Sequence, residues 1–220
     1  MTALVPSWRV ERALERAGHL RVAGVDEVGR GPLAGPVLAG AVVLPRSRAR
    51  WVGRLRDSKQ LSAAQRCELA EAIRAHADWG LGAASCHVID QLGIVAATRL
   101  AMWRAVRALA YPPDALIVDG REVVGGGLPQ RAVIDGDALC VSVAAASIVA
   151  KVARDELMCR LDAALPGYGF AVHKGYATPE HRDALWRLGP STAHRQTWAP
   201  VREAARRPRG LAAASIAAAR

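Results

Sequence analysis

The chain has few cysteines. Cys67, Cys86, Cys140 and Cys159 are scattered through 220 residues with no CxxC pair. That scarcity excludes a disulfide framework and a structural zinc site and suits a reducing compartment. Long apolar runs are also missing. The longest uncharged stretch, from Gly31 to Pro45, is 15 residues and is interrupted by Pro32 and Pro36, too short and broken to span a bilayer. No basic segment followed by an apolar one opens the sequence, which predicts a cytoplasmic protein with no membrane partner. Lysine is the third scarcity: of 30 basic residues only Lys59, Lys151 and Lys174 are lysines. Lysine is a compact point charge and arginine a planar fork, so a tight site can demand one over the other.

What is present is apolar and basic. About half the residues are hydrophobic (51%) and mean hydropathy is +0.09. Disorder throughout is excluded, and 220 residues can bury one sizeable core. The net charge is +10, of which the segment from Arg202 onward supplies +4. A basic soluble protein favours polyanions, although a solvated charged tail explains part of the excess.

The patterning predicts alternating elements. Residues 1–20 read as a short helix or arm. Strands are expected at Arg21–Val28 and Pro36–Leu44 as a hairpin, with a third at Trp79–Val88. Ser62 and Gln65 fit a capping box for a helix to Ala77. A helix capped by Asp90 is expected to reach Ala110, with Leu92, Val95, Ala96, Trp103 and Val106 on its buried side. Ala115–Asp119 and Arg131–Asp135 read as further strands, separated by a Gly-rich loop. Helices are expected over Ser142–Leu165 and from a Thr178 cap to Leu188. The order implies one mixed α/β sheet with helices upon it.

Carboxylates stand at the predicted strand ends: Asp26-Glu27, Asp119, and Asp137 two residues beyond Asp135. Such ends converge on the crevice where α/β sites lie. Clustered carboxylates repel one another unless a cation holds them, and hard oxygen ligands suit Mg²⁺ or Mn²⁺. Turn and cap duty is the alternative. Asp26 and Glu27 point to opposite faces of a regular strand, so both reach one site only if the strand ends or bends, for which Gly29 offers a place. Gly29-Arg30-Gly31-Pro32-Leu33-Ala34 satisfies a dinucleotide-binding pattern, but Pro36 and the strand-like VLAGAVVL run exclude the helix that pattern needs.

Read together, the segments resemble the ribonuclease HII (type 2 ribonuclease H) family. The matches are GVDEVGRGPLAGPV (24–37), DSKQLS (57–62), IVDG (117–120), GD (136–137), AASIVAKVARD (145–155), HKGYATPEH (173–181) and GPSTAHRQTW (189–198), in the family's order. Each lysine falls in one of them. The resemblance implies an RNase H-like fold, with a five-stranded mixed sheet flanked by helices and a helical C-terminal part. It implies a catalytic domain over 21–165 and a helical part over 166–204 that completes the substrate site; outside the matched motifs the sequence itself reads as an arm over 1–20 and an Ala/Arg-rich tail over 205–220. It implies a metal-binding catalytic set of Asp26, Glu27, Asp119 and Asp137 holding two divalent ions, Mn²⁺ or Mg²⁺. Where the family usually has Lys-Gly-Asp this chain reads Asp135-Gly136-Asp137, which adds an acid.

The resemblance further implies an endoribonuclease that hydrolyses the RNA strand of RNA–DNA hybrids. It would also cut 5′ of ribonucleotides embedded in duplex DNA, leaving 5′-phosphate and 3′-hydroxyl ends. Its partners would be those nucleic acids, and the chain is expected to be a monomer with no evident sliding-clamp motif. The Gly29-Arg30-Gly31 loop would read the 2′-OH through its backbone, Tyr176 would stack on the sugar, and Arg30, Lys59, Ser147, Lys151 and Lys174 would lie along the phosphates. His173, His181 and His194 lack a zinc spacing and read as structural or substrate-adjacent. Two other readings are a hybrid-binding protein without catalysis, which would need a broken acidic set, and another RNase H-like nuclease, against which the GRG loop and Tyr176 argue.

Overall fold

Two apolar strands, β1 (Val22–Val28) and β2 (Val37–Val43), pair antiparallel at the centre of the computed structural model, which describes residues 4–46, 49–121 and 123–206. β3 (Asp78–Ala84) extends the meander beyond β2. β4 (Ala115–Asp119) and β5 (Gln130–Val133) run parallel to β1 on its other side, giving the order β3-β2-β1-β4-β5. The sheet is five-stranded and mixed, as expected.

Two long helices cover its faces. α5 (Val141–Ala164) lies on one, and its Ala-rich first half is almost wholly buried. Small residues permit that approach: a Cβ on Gly24 would stand 2.2 Å from the Ser142 carbonyl carbon, and one on Gly40 2.5 Å from the Ala146 oxygen. α3 (Cys86–Arg107) covers the other face, where Ala23, Val25, Ala39, Ala41, Leu116 and Val118 pack with Ala97, Ala101, Met102 and Ala105. Even-numbered β1 residues therefore face α5 and odd-numbered ones face α3.

Smaller elements tie down the edges. α1 (Arg9–Arg16) sends the buried Glu11 carboxylate to the start of α5, where it accepts from the Ser142 backbone N–H at 3.0 Å and hydroxyl at 2.7 Å. This contact supplies an N-cap that Cys140 cannot. α2 (Ala63–His76) has the full Ser62–Gln65 capping box. α4 (Gly136–Leu139) is one short turn before α5. α6 (Phe170–His173), α7 (Pro179–Leu188) and α8 (Ala199–Ala205) complete the C-terminal part. No helix among the described residues is long and apolar enough to cross a membrane. Residues 207–220 of the Ala/Arg-rich tail lie outside the described residues.

One expected helix is corrected. The third strand stops at Ala84, and Ser85 rather than Asp90 caps α3. Gly93, at φ +77°, breaks that helix near its start. The break rotates the face, so Leu92, Val95 and Ala96 are exposed while Ile89, Ala97, Ala101 and Met102 fill the core. Asp90 instead accepts from the backbone N–H groups of Gln196 and Thr197 at 2.9 and 3.0 Å, tying α3 to the C-terminal part.

Candidate active site

The register sets the site. Val25 lies beside Val118, so Asp26 and Asp119 emerge next to each other on the α5 face, at the C-terminal ends of parallel strands. β4 stops at Asp119 while β1 continues to Val28. Beyond residue 26 the β4 side of β1 is therefore an open edge. β1 stays paired with β2 through Val28, so strand alternation would send Glu27 to the face opposite Asp26, yet its carboxylate joins the same cluster. One carboxylate oxygen each from Asp26, Glu27 and Asp119 lies within 4.8 Å of the others. The Gly29 turn, at φ +89°, comes two residues after Glu27.

Electrostatics mark the cluster. Burial pushes the Asp26 carboxyl well above the usual range, and repulsion from Glu27 and Asp119 adds to it. A hydrogen bond with Ser147 and one accepted from the Glu27 backbone N–H at 2.7 Å oppose the rise. Burial raises Glu27 too, partly offset by Arg30, whose Nη1 lies 3.4 Å from Oε1. Burial, then Asp137, raise Asp119, against amides of Gly136, Asp137 and Gly120 that point at it. The Gly136 N–H donates to Asp119 Oδ1 at 2.6 Å. Three hard oxygen donors that repel one another at close range fit a divalent cation, whose charge relieves that repulsion.

The structure separates Asp137 from Asp135. Asp135 adopts the left-handed conformation (φ +54°) and is exposed, while Asp137 is buried. Asp137 lies outside the 4.8 Å cluster but close enough to raise Asp26 and Asp119, and its Oδ2 accepts from Lys59 Nζ at 3.1 Å. Burial lowers the Lys59 pKa, but the hydrogen bond and charge of Asp137, with the charges of Asp57 and Asp26, together leave it raised.

The remaining candidates divide. Ser147 lies under Asp26, with its Oγ 3.0 Å from Ser58 Oγ, and is buried rather than facing solvent. Tyr176 is 44% exposed and flanks the glycine loop: a Cβ on Gly31 would stand 3.7 Å from its Cε1. Lys151 Nζ donates to Asp155 at 2.7 Å. Lys174 Nζ folds back onto the Ala171 carbonyl at 2.7 Å. Neither lysine is drawn to the carboxylates by these contacts. The three C-terminal histidines form one group, His181 and His194 buried and His173 half-buried, with His173 and His181 stacking at 4.3 Å. His181 Nδ1–H donates to the Tyr176 carbonyl (2.8 Å), which leaves Nε2 to accept from His194 Nε2–H (3.1 Å). His194 Nδ1 in turn accepts from the Ser191 N–H (3.0 Å) and hydroxyl (2.8 Å).

Sequence reasoning passed over two residues here. Arg154 and Arg195 are fully buried and donate to backbone carbonyls of the segment after β1. The only signal was their place in the AASIVAKVARD and GPSTAHRQTW motifs.

The chain is similar to known proteins along most of its length. The family model described as Ribonuclease HII matches residues 23–201. A ribonuclease HII from Moorella thermoacetica is 53% identical over 189 residues, 86% of this chain and 91% of the relative. One from Dehalococcoides mccartyi is 48% identical over 203 residues, 91% of this chain and 96% of the relative. Among solved structures, the ribonuclease H2 of Pyrococcus horikoshii OT3 superposes with a TM-score of 0.74 at 26% identity, covering 84% of this chain and 97% of its own. The ribonuclease HII of Archaeoglobus fulgidus, solved in complex with PCNA, gives 0.70 at 29%, covering 82% and 96%. With a carboxylate cluster at the β1–β4 edge and likeness along nearly its whole described length, this chain belongs to the ribonuclease HII family.

Proposed function

We propose that the carboxylates at the open edge of β1 hydrolyse the phosphodiester on the 5′ side of a ribonucleotide, leaving 5′-phosphate and 3′-hydroxyl ends. The broader activity, endoribonucleolytic cutting of RNA paired with DNA, is that of the family. The observation that carries the finer reading is the convergence of Asp26, Glu27 and Asp119 oxygens within 4.8 Å, from strands that meet only through the fold.

Asp26, Glu27, Asp119 and Asp137 would hold two divalent ions, Mg²⁺ or Mn²⁺. When bound, such ions supply an activated water and a counter-charge for the departing 3′-oxygen. The protein's own groups do the rest. The Gly136, Asp137 and Gly120 amides orient Asp119. Ser147 and the Glu27 N–H fix Asp26 from beneath and behind. Lys59, with its side chain 80% exposed, holds Asp137 and presents charge to a phosphate. The exposed Gly31 and Tyr176 stand where a ribose can meet backbone on one side and an aromatic ring on the other. Arg30, Lys151 and Lys174 serve the phosphates more peripherally. Residues 166–204 thus complete, as a helical part carrying Tyr176, a site whose acids all come from 21–165. The chain works as a cytoplasmic monomer.

The test is a DNA duplex bearing one ribonucleotide, incubated with Mg²⁺, with Mn²⁺ and with EDTA, and its ends mapped. A metal-dependent cut on the 5′ side of the ribose supports the reading. Tight binding with no cut under either metal would replace it with a hybrid-binding protein.

A further inference from the structure

The segment after β1, residues 29–36, is held from inside the protein by two buried guanidinium groups. Arg195 donates from Nη2 to the Gly29 carbonyl (2.5 Å), from Nη1 to the Arg30 carbonyl (2.6 Å) and from Nε to the Gly35 carbonyl (3.1 Å). Its own backbone N–H donates to the Leu33 carbonyl at 2.9 Å. Arg154 donates to the carbonyls of Pro36, Ala34 and Lys174 at 3.2, 3.3 and 3.0 Å. Neither has an ion-pair partner among the described residues. A buried charge without a counter-charge is costly, so spending both on one loop calls for a reason.

The chemistry of the peptide group supplies it. In a trans peptide the N–H points opposite to the C=O. The carbonyls of Gly29 and Arg30 belong to the same peptide planes as the N–H groups of Arg30 and Gly31. Anchoring both carbonyls on a buried cation turns both N–H groups outward. A cation on the oxygen also polarises the peptide, making its N–H a stronger donor. Among the described residues the Gly31 N–H meets no protein acceptor, and Tyr176 flanks it. Burial pulls the Arg195 pKa down to about 10, so it stays cationic at neutral pH.

We propose that Arg195 is a positioning residue for ribose recognition, one that orients and polarises the Arg30 and Gly31 N–H groups so that they favour a 2′-hydroxyl over its absence. The inference rests on the reading above that this loop faces the ribose. Arginine is required because one fork meets three carbonyls, whereas lysine offers a point charge. Trp198, whose ring lies 4.9 Å from the Arg195 guanidinium carbon, holds the fork in place.

The test measures the dissociation constants, in EDTA, of a duplex with one ribonucleotide and of the same duplex in all-DNA form. Their ratio isolates the 2′-hydroxyl from general affinity. Arg195→Lys keeps the charge and is expected to lower the ratio about tenfold, leaving the all-DNA affinity near wild type. A purely structural role would weaken both duplexes alike. If Arg195→Lys does not fold, Trp198→Leu is read in the same assay, with a loss of about threefold expected. An unchanged ratio in the folded variant, an equal loss on both duplexes, or a wild-type ratio of one would overturn the inference. Wild-type protein that fails to cut with either metal would overturn the functional reading itself, so the two failures are told apart.

Discussion

Lys59 Nζ lies 3.1 Å from Asp137 Oδ2, joining the loop before α2 to the acid that opens α4 across 78 residues of sequence. The lysine is exposed and the aspartate buried, so the pair works at the rim of the site rather than in the core. A pair whose cation stands mostly in solvent is largely screened and contributes about 0–1 kcal/mol. Lys59→Ala is therefore expected to leave Tm almost unchanged. Its effect falls on substrate: weaker binding and a salt dependence (log Kd against log salt) shallower by about 1. Titrations of a hybrid duplex at several salt concentrations check this.

The crowded acids make a second prediction. Burial and its neighbours raise the folded-state Asp26 pKa above the unfolded value. A raised pKa contributes stability that is present below the unfolded pKa, near 3.8, and is lost as pH rises through the folded value. In EDTA at neutral pH Asp26 thus opposes folding. Asp26→Asn, which keeps an acceptor for the Glu27 N–H, should raise Tm there, and its advantage over wild type should shrink as pH falls toward 4. Melting curves from pH 4 to 8 settle it.

The histidines act with the opposite sign. Burial first, then His181, lower the His194 pKa from 6.5 to about 4. A lowered pKa contributes stability present above pH 6.5 and lost as pH falls toward 4. The loss amounts to about 3 kcal/mol. His194→Gln should be less stable at pH 7 and show a flatter acid limb in denaturant unfolding from pH 7 to 4.

Glu11 tests the arm. Its carboxylate caps α5 at Ser142, five residues before the Ser147 that supports Asp26. Glu11→Ala leaves that cap unmet, with an expected cost of about 1–2 kcal/mol. Urea unfolding gives the value directly.

Much of the fold and of the candidate site was legible because it obeys local rules. Strand ends placed Asp26 and Asp119, the Ser62–Gln65 box placed α2, and an Ala-rich run placed α5. What escaped depends on neighbours. Glu27 joins Asp26 and Asp119 although strand alternation would set it on the other face, and only the pairing of β1 with a shorter β4 places the three together. The Gly93 break in α3 carries no periodicity signal of its own, and it leaves Leu92, Val95 and Ala96 of the expected buried face exposed. Arg195 binds carbonyls some 165 residues distant, and no periodicity signals such a contact. Lys59 and Asp137 could be picked out singly from their motifs, but their pairing could not.

The most direct measurement compares Asp119→Asn, Asp137→Asn and Asp135→Asn on a duplex with one ribonucleotide in Mg²⁺ and Mn²⁺, with circular dichroism confirming the fold. Loss of about a hundredfold or more in turnover is expected for Asp119→Asn and Asp137→Asn, while Asp135→Asn, which removes the exposed acid, should cut like wild type. Full turnover by folded Asp119→Asn, or loss confined to Asp135→Asn, would contradict the carboxylate site at the β1–β4 edge.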